Sequence, residues 1–270
     1  MDQALFSRIL GSGPREILAL HCTMAHSGAW RGLAEALEGR FAVRAPDMYN
    51  HGRSPDWDGQ GEFQLRMAEA ALSLIEGPVD VVGHSFGATV ALRMAVLRPD
   101  LVRSLTMIDS VHMAVVRQDR PDILDQDQAT SAPFREALAA GEFERAARIF
   151  NRGWGDSRGP RWEDLPEARR AAMSRGVRIV PACGPSITDD LPGLLKPGGL
   201  GAVTMPVLLI RGGETEATVR IVHEGLARRL PHAQNHVVPG AGHMVAITHP
   251  AEIAERLAAF MGDARASRAG

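Results

Sequence analysis

The five residues Gly83-His84-Ser85-Phe86-Gly87 constrain this chain more than any other stretch. They join Val79-Asp80-Val81-Val82, a short β-branched run of the kind that forms a buried strand, to residues 88–97, whose apolar side chains recur at helical spacing. A strand that turns straight into a helix leaves little room where the two approach, and the residues two before and two after the serine are both glycine. So tight a turn holds the serine in an unfavourable backbone conformation. It lifts Ser85 Oγ above the sheet edge and aims the unpaired N–H groups of the helix start at whatever that oxygen attacks. In letters and in context this is a G-x-S-x-G nucleophile elbow.

The rest of the chain supplies the sheet such a unit needs. Residues 17–20 and 41–45 read as strands, and 79–82 and 105–108 as buried ones, each brief, apolar and bounded by Gly, Pro or Asp. Residues 30–37, 63–75 and 86–97 carry apolar residues at helical spacing between them. This alternation predicts an α/β fold, a mostly parallel central sheet flanked by helices. From 112 to 200 no strand is evident; helical pieces at 133–140, 142–150 and 165–175 are separated by Gly- and Pro-containing joints. After Pro197-Gly198-Gly199 the rhythm resumes with a strand at 207–210, a helix at 219–230, a strand at 236–238 and a last helix at 251–260. The expected organisation is a core of 1–111 and 201–262, a helical cap inserted at 112–200, and a frayed tail at 263–270.

Composition removes several classes of function. At 270 residues the chain buries enough surface to need no metal or disulfide staple. A net charge of −2, with basic residues scattered along the chain, gives no electrostatic reason to expect nucleic acid or an anionic membrane as partner. Cys22 and Cys183 are too few for a secreted disulfide framework. The opening MDQALFSRIL lacks a basic region followed by a long apolar run, and no window approaches the roughly 20 apolar residues of a membrane helix. A cytoplasmic protein is expected, as monomer or homodimer, acting on a small molecule.

Three further segments complete a pattern. His21-Cys22-Thr23-Met24 follows a strand and precedes Trp30; Asp47-Met48-Tyr49-Asn50-His51-Gly52-Arg53-Ser54 forms a turn-rich run; Gly240-Ala241-Gly242-His243-Met244 precedes His249-Pro250 and the last helix. With the elbow, these resemble the α/β-hydrolase superfamily in order and spacing over nearly everything outside the insert. The resemblance implies Ser85 as nucleophile, His243 as general base, and an oxyanion hole made by the backbone N–H groups of Thr23 and Phe86. It implies no cofactor. Two departures stand out. Cys22 replaces a usual Gly, so its loop must tolerate a Cβ; as a buried thiol it has no His or positive helix end aimed at it. Asn50 also replaces a common Gly, an easier exchange because Asn visits left-handed backbone readily.

The triad acid is the open position. The superfamily usually carries it in a G-x-x-D turn after the next-to-last strand, and here that turn reads Gly212-Gly213-Glu214-Thr215-Glu216. Asp109, at the end of the strand 105–108, is the favoured substitute, since carboxyl ends of neighbouring parallel strands converge on one crevice. Glu216 and Glu214 remain alternatives. Of the other histidines, His84 should point away from Ser85, His21 and His51 match positions that are usually structural, and His26 is a candidate for the pocket mouth. His232 and His236 lack the third ligand a zinc site needs.

These readings predict a serine hydrolase that cleaves a small or medium, largely apolar ester, lactone or thioester through an acyl-enzyme. Phe134, Phe143, Phe150, Trp154, Met173 and Ile179 are the expected apolar contributors of the cap. A carbon–carbon bond hydrolase of a diketone-like metabolite uses the same triad, with Arg152, Arg175 or Arg178 available to a substrate carboxylate. A hydrolase-like binding protein without turnover is the third possibility, favoured only by the missing acid at Thr215.

Overall fold

Seven strands form one sheet in the order β1-β3-β2-β4-β5-β6-β7 in the computed structural model, which describes residues 4–155, 159–230 and 232–266. They are β1 (Ser7–Leu10), β2 (Arg15–Leu20), β3 (Phe41–Pro46), β4 (Val79–His84), β5 (Val102–Ile108), β6 (Val207–Gly212) and β7 (Ala233–Val238). Only β1 runs antiparallel to its neighbour β3; every other pairing is parallel. β1 was not evident in the sequence. It is a four-residue edge strand that buries none of its side chains fully, so it has no hydrophobic pattern to read.

The inner strands read as continuous apolar runs because both faces of the sheet are covered. On β2, Leu18 and Leu20 enter one core while Ile17 and Ala19 enter the other; on β6, Val207 and Leu209 face one way and Leu208 and Ile210 the other. Helices α1 (Arg31–Ala36), α2 (Phe63–Leu72) and α3 (Phe86–Leu97) follow β2, β3 and β4 in turn. The insert holds α4 (Ala114–Asp119), α5 (Pro121–Thr130), α6 (Ala132–Ala139), α7 (Phe143–Trp154), α8 (Glu167–Gly176) and α9 (Val180–Ile187). The chain ends in α10 (Ala217–Arg229), α11 (Val245–Thr248) and α12 (Pro250–Ala266). α12 runs past Gly262, so residues 263–266, read from sequence as tail, are helical; 267–270 lie outside the described residues.

The insert is not one detached body. Ala137, Ala146, Ala147, Trp162, Leu165, Met173 and Val177, from α6 to the end of α8, close a small core of their own. Val115 and Val116 of α4, Leu124 of α5 and Cys183 of α9 instead join the main core. Asp119 at the end of α4 is paired with Arg228 and Arg229 of α10. The unit with its own core is therefore narrower than the expected 112–200.

At the base of the sheet, away from the elbow, Asp80 of β4 is fully buried. Arg15 of β2 grips its carboxylate with Nε at 2.6 Å and Nη2 at 2.9 Å, and Ser104 of β5 donates to it at 2.6 Å. Arg15 Nη1 also donates to the Met261 carbonyl of α12 at 2.8 Å. One bidentate pair thus joins three strands and the last helix.

Candidate active site

The β4–α3 turn has the geometry its sequence predicts. Ser85 sits at φ 56° and ψ −118°, outside the regions comfortable for a residue with a Cβ. A Cβ on Gly83 would lie 2.3 Å from the Gly87 carbonyl oxygen, and one on Gly87 2.3 Å from the Leu20 carbonyl oxygen. Only hydrogen fits at both positions, so strand and helix close onto each other and onto β2. Ser85 N–H donates to the Ile108 carbonyl at 2.9 Å, tying the elbow to the end of β5.

His243 lies in the turn between β7 and α11, with its ring 5% exposed as a residue and its Nε2 3.0 Å from Ser85 Oγ. Its Nδ1 is 3.1 Å from Asp109 Oδ2. A carboxylate only accepts, so Nδ1 carries the hydrogen and Nε2 is left to accept from the serine hydroxyl. Asp109 follows β5 at φ 42°, and its own N–H donates to the Ile210 carbonyl at 2.8 Å. Its Oδ1 accepts Gly212 N–H at 2.9 Å, and its Oδ2 accepts the Thr215 hydroxyl at 2.7 Å. Burial pushes this carboxyl upward, but the hydrogen bond and charge of His243, the charge of His223 and the Thr215 hydroxyl hold it below the usual carboxylate range. Of the three candidate acids, Asp109 is the one brought to His243. Glu214 is exposed, and Glu216 reaches Thr215 Oγ1 at 3.2 Å.

Two histidines clip the loop carrying Thr23 to the turn after β3. His21 Nε2 accepts Met48 N–H at 2.9 Å, and His51 Nε2 accepts Met24 N–H at 2.9 Å. Each ring fixes its tautomer by donating Nδ1–H to a carbonyl, of Cys22 and Tyr49 respectively, at 2.8 Å. Burial drives both toward the neutral form, to about 3 for His21 and about 4 for His51. Asn50 takes φ 63°, as the exchange for Gly requires. Thr23 and Ser85 face one cavity, while Phe86 buries its ring against Phe63 and contributes the first amide of α3, one of those a helix start leaves without an intrahelical acceptor. Cys22 also lines the cavity, and burial raises its thiol to about 12.

The cavity above Ser85 measures about 720 Å³, within the range of small-molecule sites. α7 presents Phe150, Asn151 and Trp154 to it, and α8 presents Ala168, Arg169, Ala172 and Met173, in both cases one face of a helix. Of the six apolar cap residues expected here, Phe150, Trp154 and Met173 line the cavity. Phe134 and Phe143 pack against the cap's own core, and Ile179 enters the main one. Trp154 meets the His243 ring edge-on, with centroids 4.8 Å apart. His26 stands at the mouth, as expected. Arg152, Arg175 and Arg178 do not line the cavity. Arg175 is bound to Asp56 and to the Gly52 and Ser54 carbonyls, and Arg178 lies over the Phe143 ring. Among the described residues the arginine that lines the cavity is Arg169, which no sequence motif marks. Sequence reasoning expected of His84 only that it points away from Ser85; its Nε2–H donates to the His243 carbonyl at 2.8 Å and so anchors that residue's backbone. Among the described residues no three His, Cys, Asp or Glu side chains converge as a metal site, and no helix is long and apolar enough to cross a membrane.

The sequence profile of the alpha/beta hydrolase family matches residues 17–256. A protein of Nitrosomonas europaea named pimeloyl-[acyl-carrier protein] methyl ester esterase is 30% identical over 248 residues, covering 89% of this chain and 92% of its own. Lipase LipV of Mycobacterium tuberculosis is 40% identical over 101 residues, 36% of this chain and 38% of its own length. Among solved structures, one from work on carboxylesterases of Nitrososphaera gargenis superposes with a TM-score of 0.70 at 19% identity, over 97% of this chain and 95% of that one. The chain belongs to the alpha/beta hydrolase family.

Proposed function

We propose that this protein is a serine esterase that cleaves a small or medium, largely apolar ester, lactone or thioester through an acyl-enzyme. The observation that carries the reading is the unbroken line of hydrogen bonds from Asp109 through His243 to Ser85 Oγ, opening into a roofed cavity. In the proposed mechanism Ser85 Oγ attacks the substrate carbonyl carbon while His243 Nε2 takes the hydroxyl proton, and Asp109 stabilises the imidazolium. The N–H groups of Thr23 and Phe86 receive the charge that develops on the carbonyl oxygen. Collapse of the tetrahedral adduct breaks the bond to the leaving group, which departs with the proton from His243. Water, deprotonated by the same nitrogen, then releases the acid and restores Ser85.

Support for the ester class comes from the relatives named esterase and lipase. The cavity supports an apolar substrate: Met24, Phe150, Trp154, Leu165, Met173 and Ile247 form much of its wall, and no Asp or Glu lines it among the described residues. The reading as a binding protein rested on Thr215 in place of an acid, and Asp109 meets that objection.

The test is labelling by a fluorophosphonate, in which Ser85 Oγ bonds to phosphorus and fluoride leaves, together with turnover of nitrophenyl esters of graded chain length. Wild-type protein should label and turn over, with a preference that sizes the cavity. Ser85→Ala should lose labelling and fall in turnover by about 10⁴-fold or more. Undiminished labelling of the Ala variant, at an unchanged melting temperature, would sink the assignment.

A further inference from the structure

We propose that Thr215 is the positioning residue for the triad acid. The inference rests on the triad proposed above. Two strand ends contribute to it: Asp109 follows β5, and Thr215 lies three residues beyond β6. Asp109 Oδ1 is held by Gly212 N–H at 2.9 Å. The other oxygen, Oδ2, faces His243, and two donors meet on it: the Thr215 hydroxyl at 2.7 Å and His243 Nδ1–H at 3.1 Å. The shorter bond therefore belongs to Thr215.

Rotation about the bond to a carboxylate is soft. Without Thr215, the only donor left on Oδ2 itself would be the very ring it must orient, with the plane of the carboxylate held from the far side by Gly212 N–H alone. Thr215 Oγ1 also stands 3.2 Å from Glu216 Oε2, but a hydroxyl has one proton to give, and the closer acceptor at 2.7 Å takes it.

The test uses the phosphonylation rate of Ser85 by a fluorophosphonate, which needs no knowledge of the natural substrate, with its pH profile and a thermal melt for each variant. Thr215→Val keeps the shape and removes the donor. It should slow labelling about tenfold at a nearly unchanged melt, and Thr215→Ser should restore the rate. With one donor gone, more charge rests on Asp109 Oδ2 and stabilises the protonated ring, so the acid limb of the Thr215→Val profile should move to higher pH. The other titratable groups facing this pair are His84, His223 and Glu216; burial lowers both histidines to about 4.

A Thr215→Val variant with wild-type rate and profile would overturn the positioning role. So would one that is slower only because it melts earlier, with its profile unmoved. Where Thr215→Val fails to fold, Thr215→Ala against Thr215→Ser carries the same comparison, and equal labelling rates for the two would overturn the role. Failure of the underlying triad looks different: Asp109→Asn would then itself label at the wild-type rate.

Discussion

Asp109 is a fully buried carboxylate that stays ionised because three donors converge on it, Gly212 N–H, the Thr215 hydroxyl and His243 Nδ1–H. Asparagine at this position keeps the shape but can offer its NH₂ to Nδ1, turning His243 to the tautomer that cannot accept from Ser85. Asp109→Asn should lower kcat about 10⁴-fold with a nearly unchanged melt, while Glu214→Gln, on an exposed side chain, should stay within about twofold. Steady-state kinetics on the two variants side by side decide the matter; a near-normal Asp109→Asn would remove it from the triad. Ser85 was legible because its turn dictates the glycines on either side of it, and His243 because it sits in a short glycine-rich segment before a helix. The acid was legible only as a choice among three carboxylates, since what selects Asp109 is the adjacency of β5 and β6 in space. Thr215 was legible only as the place of a missing acid and His84 only as a letter of the elbow, while Arg169 carries no local signature at all. Each matters through a partner more than 70 residues away or through a cavity that exists only in the folded chain.

Among the elements, the strands that pack on both faces were readable, the edge strand β7 was read only in its last three residues, and the edge strand β1 was missed. β1 is a half-buried edge. α5 buries only Leu124 of its ten residues, and α9 contains Pro181 and Pro185, so neither shows an apolar stripe at helical period. What joins the readable strands is less visible still, because the Arg15–Asp80 pair spans 65 residues and involves a third strand and the last helix. Removing one member of a buried pair leaves the other charge without compensation, at about 3–5 kcal/mol. Asp80→Asn should therefore lower the melting temperature by roughly 10 °C while leaving the Ser85–His243 geometry, at the opposite end of the sheet, untouched. The measurement is a thermal melt together with fluorophosphonate labelling at a temperature where both proteins are folded. A melt within a degree or two of wild type would show that the pair contributes little.

For the molecule as a whole, five buried histidines set a limit on acid tolerance. Burial lowers His21 to about 3 and His51, His84, His112 and His223 to about 4, against a free value of 6.5. Below 6.5 the unfolded chain takes up protons that the folded chain refuses, so stability falls as pH drops from 6.5 toward 4. Urea titrations between pH 7 and pH 5 should show this loss. His112 is the cleanest single probe, because it is fully buried with no hydrogen-bond partner on either ring nitrogen among the described residues. His112→Leu should be neutral or stabilising at pH 7 and should reduce the acid slope by one proton; an unchanged slope would remove His112 from the set. The groups proposed to break the bond, Ser85, His243, Asp109 and Thr215, all stand on sheet ends and turns, whereas Phe150, Trp154, Leu165 and Met173 of the cavity wall belong to the stretch that packs around the cap's own core. Descent with modification can therefore act on the two separately. After a gene duplication one copy can drift toward new substrates through its cap while selection still holds the reacting atoms fixed.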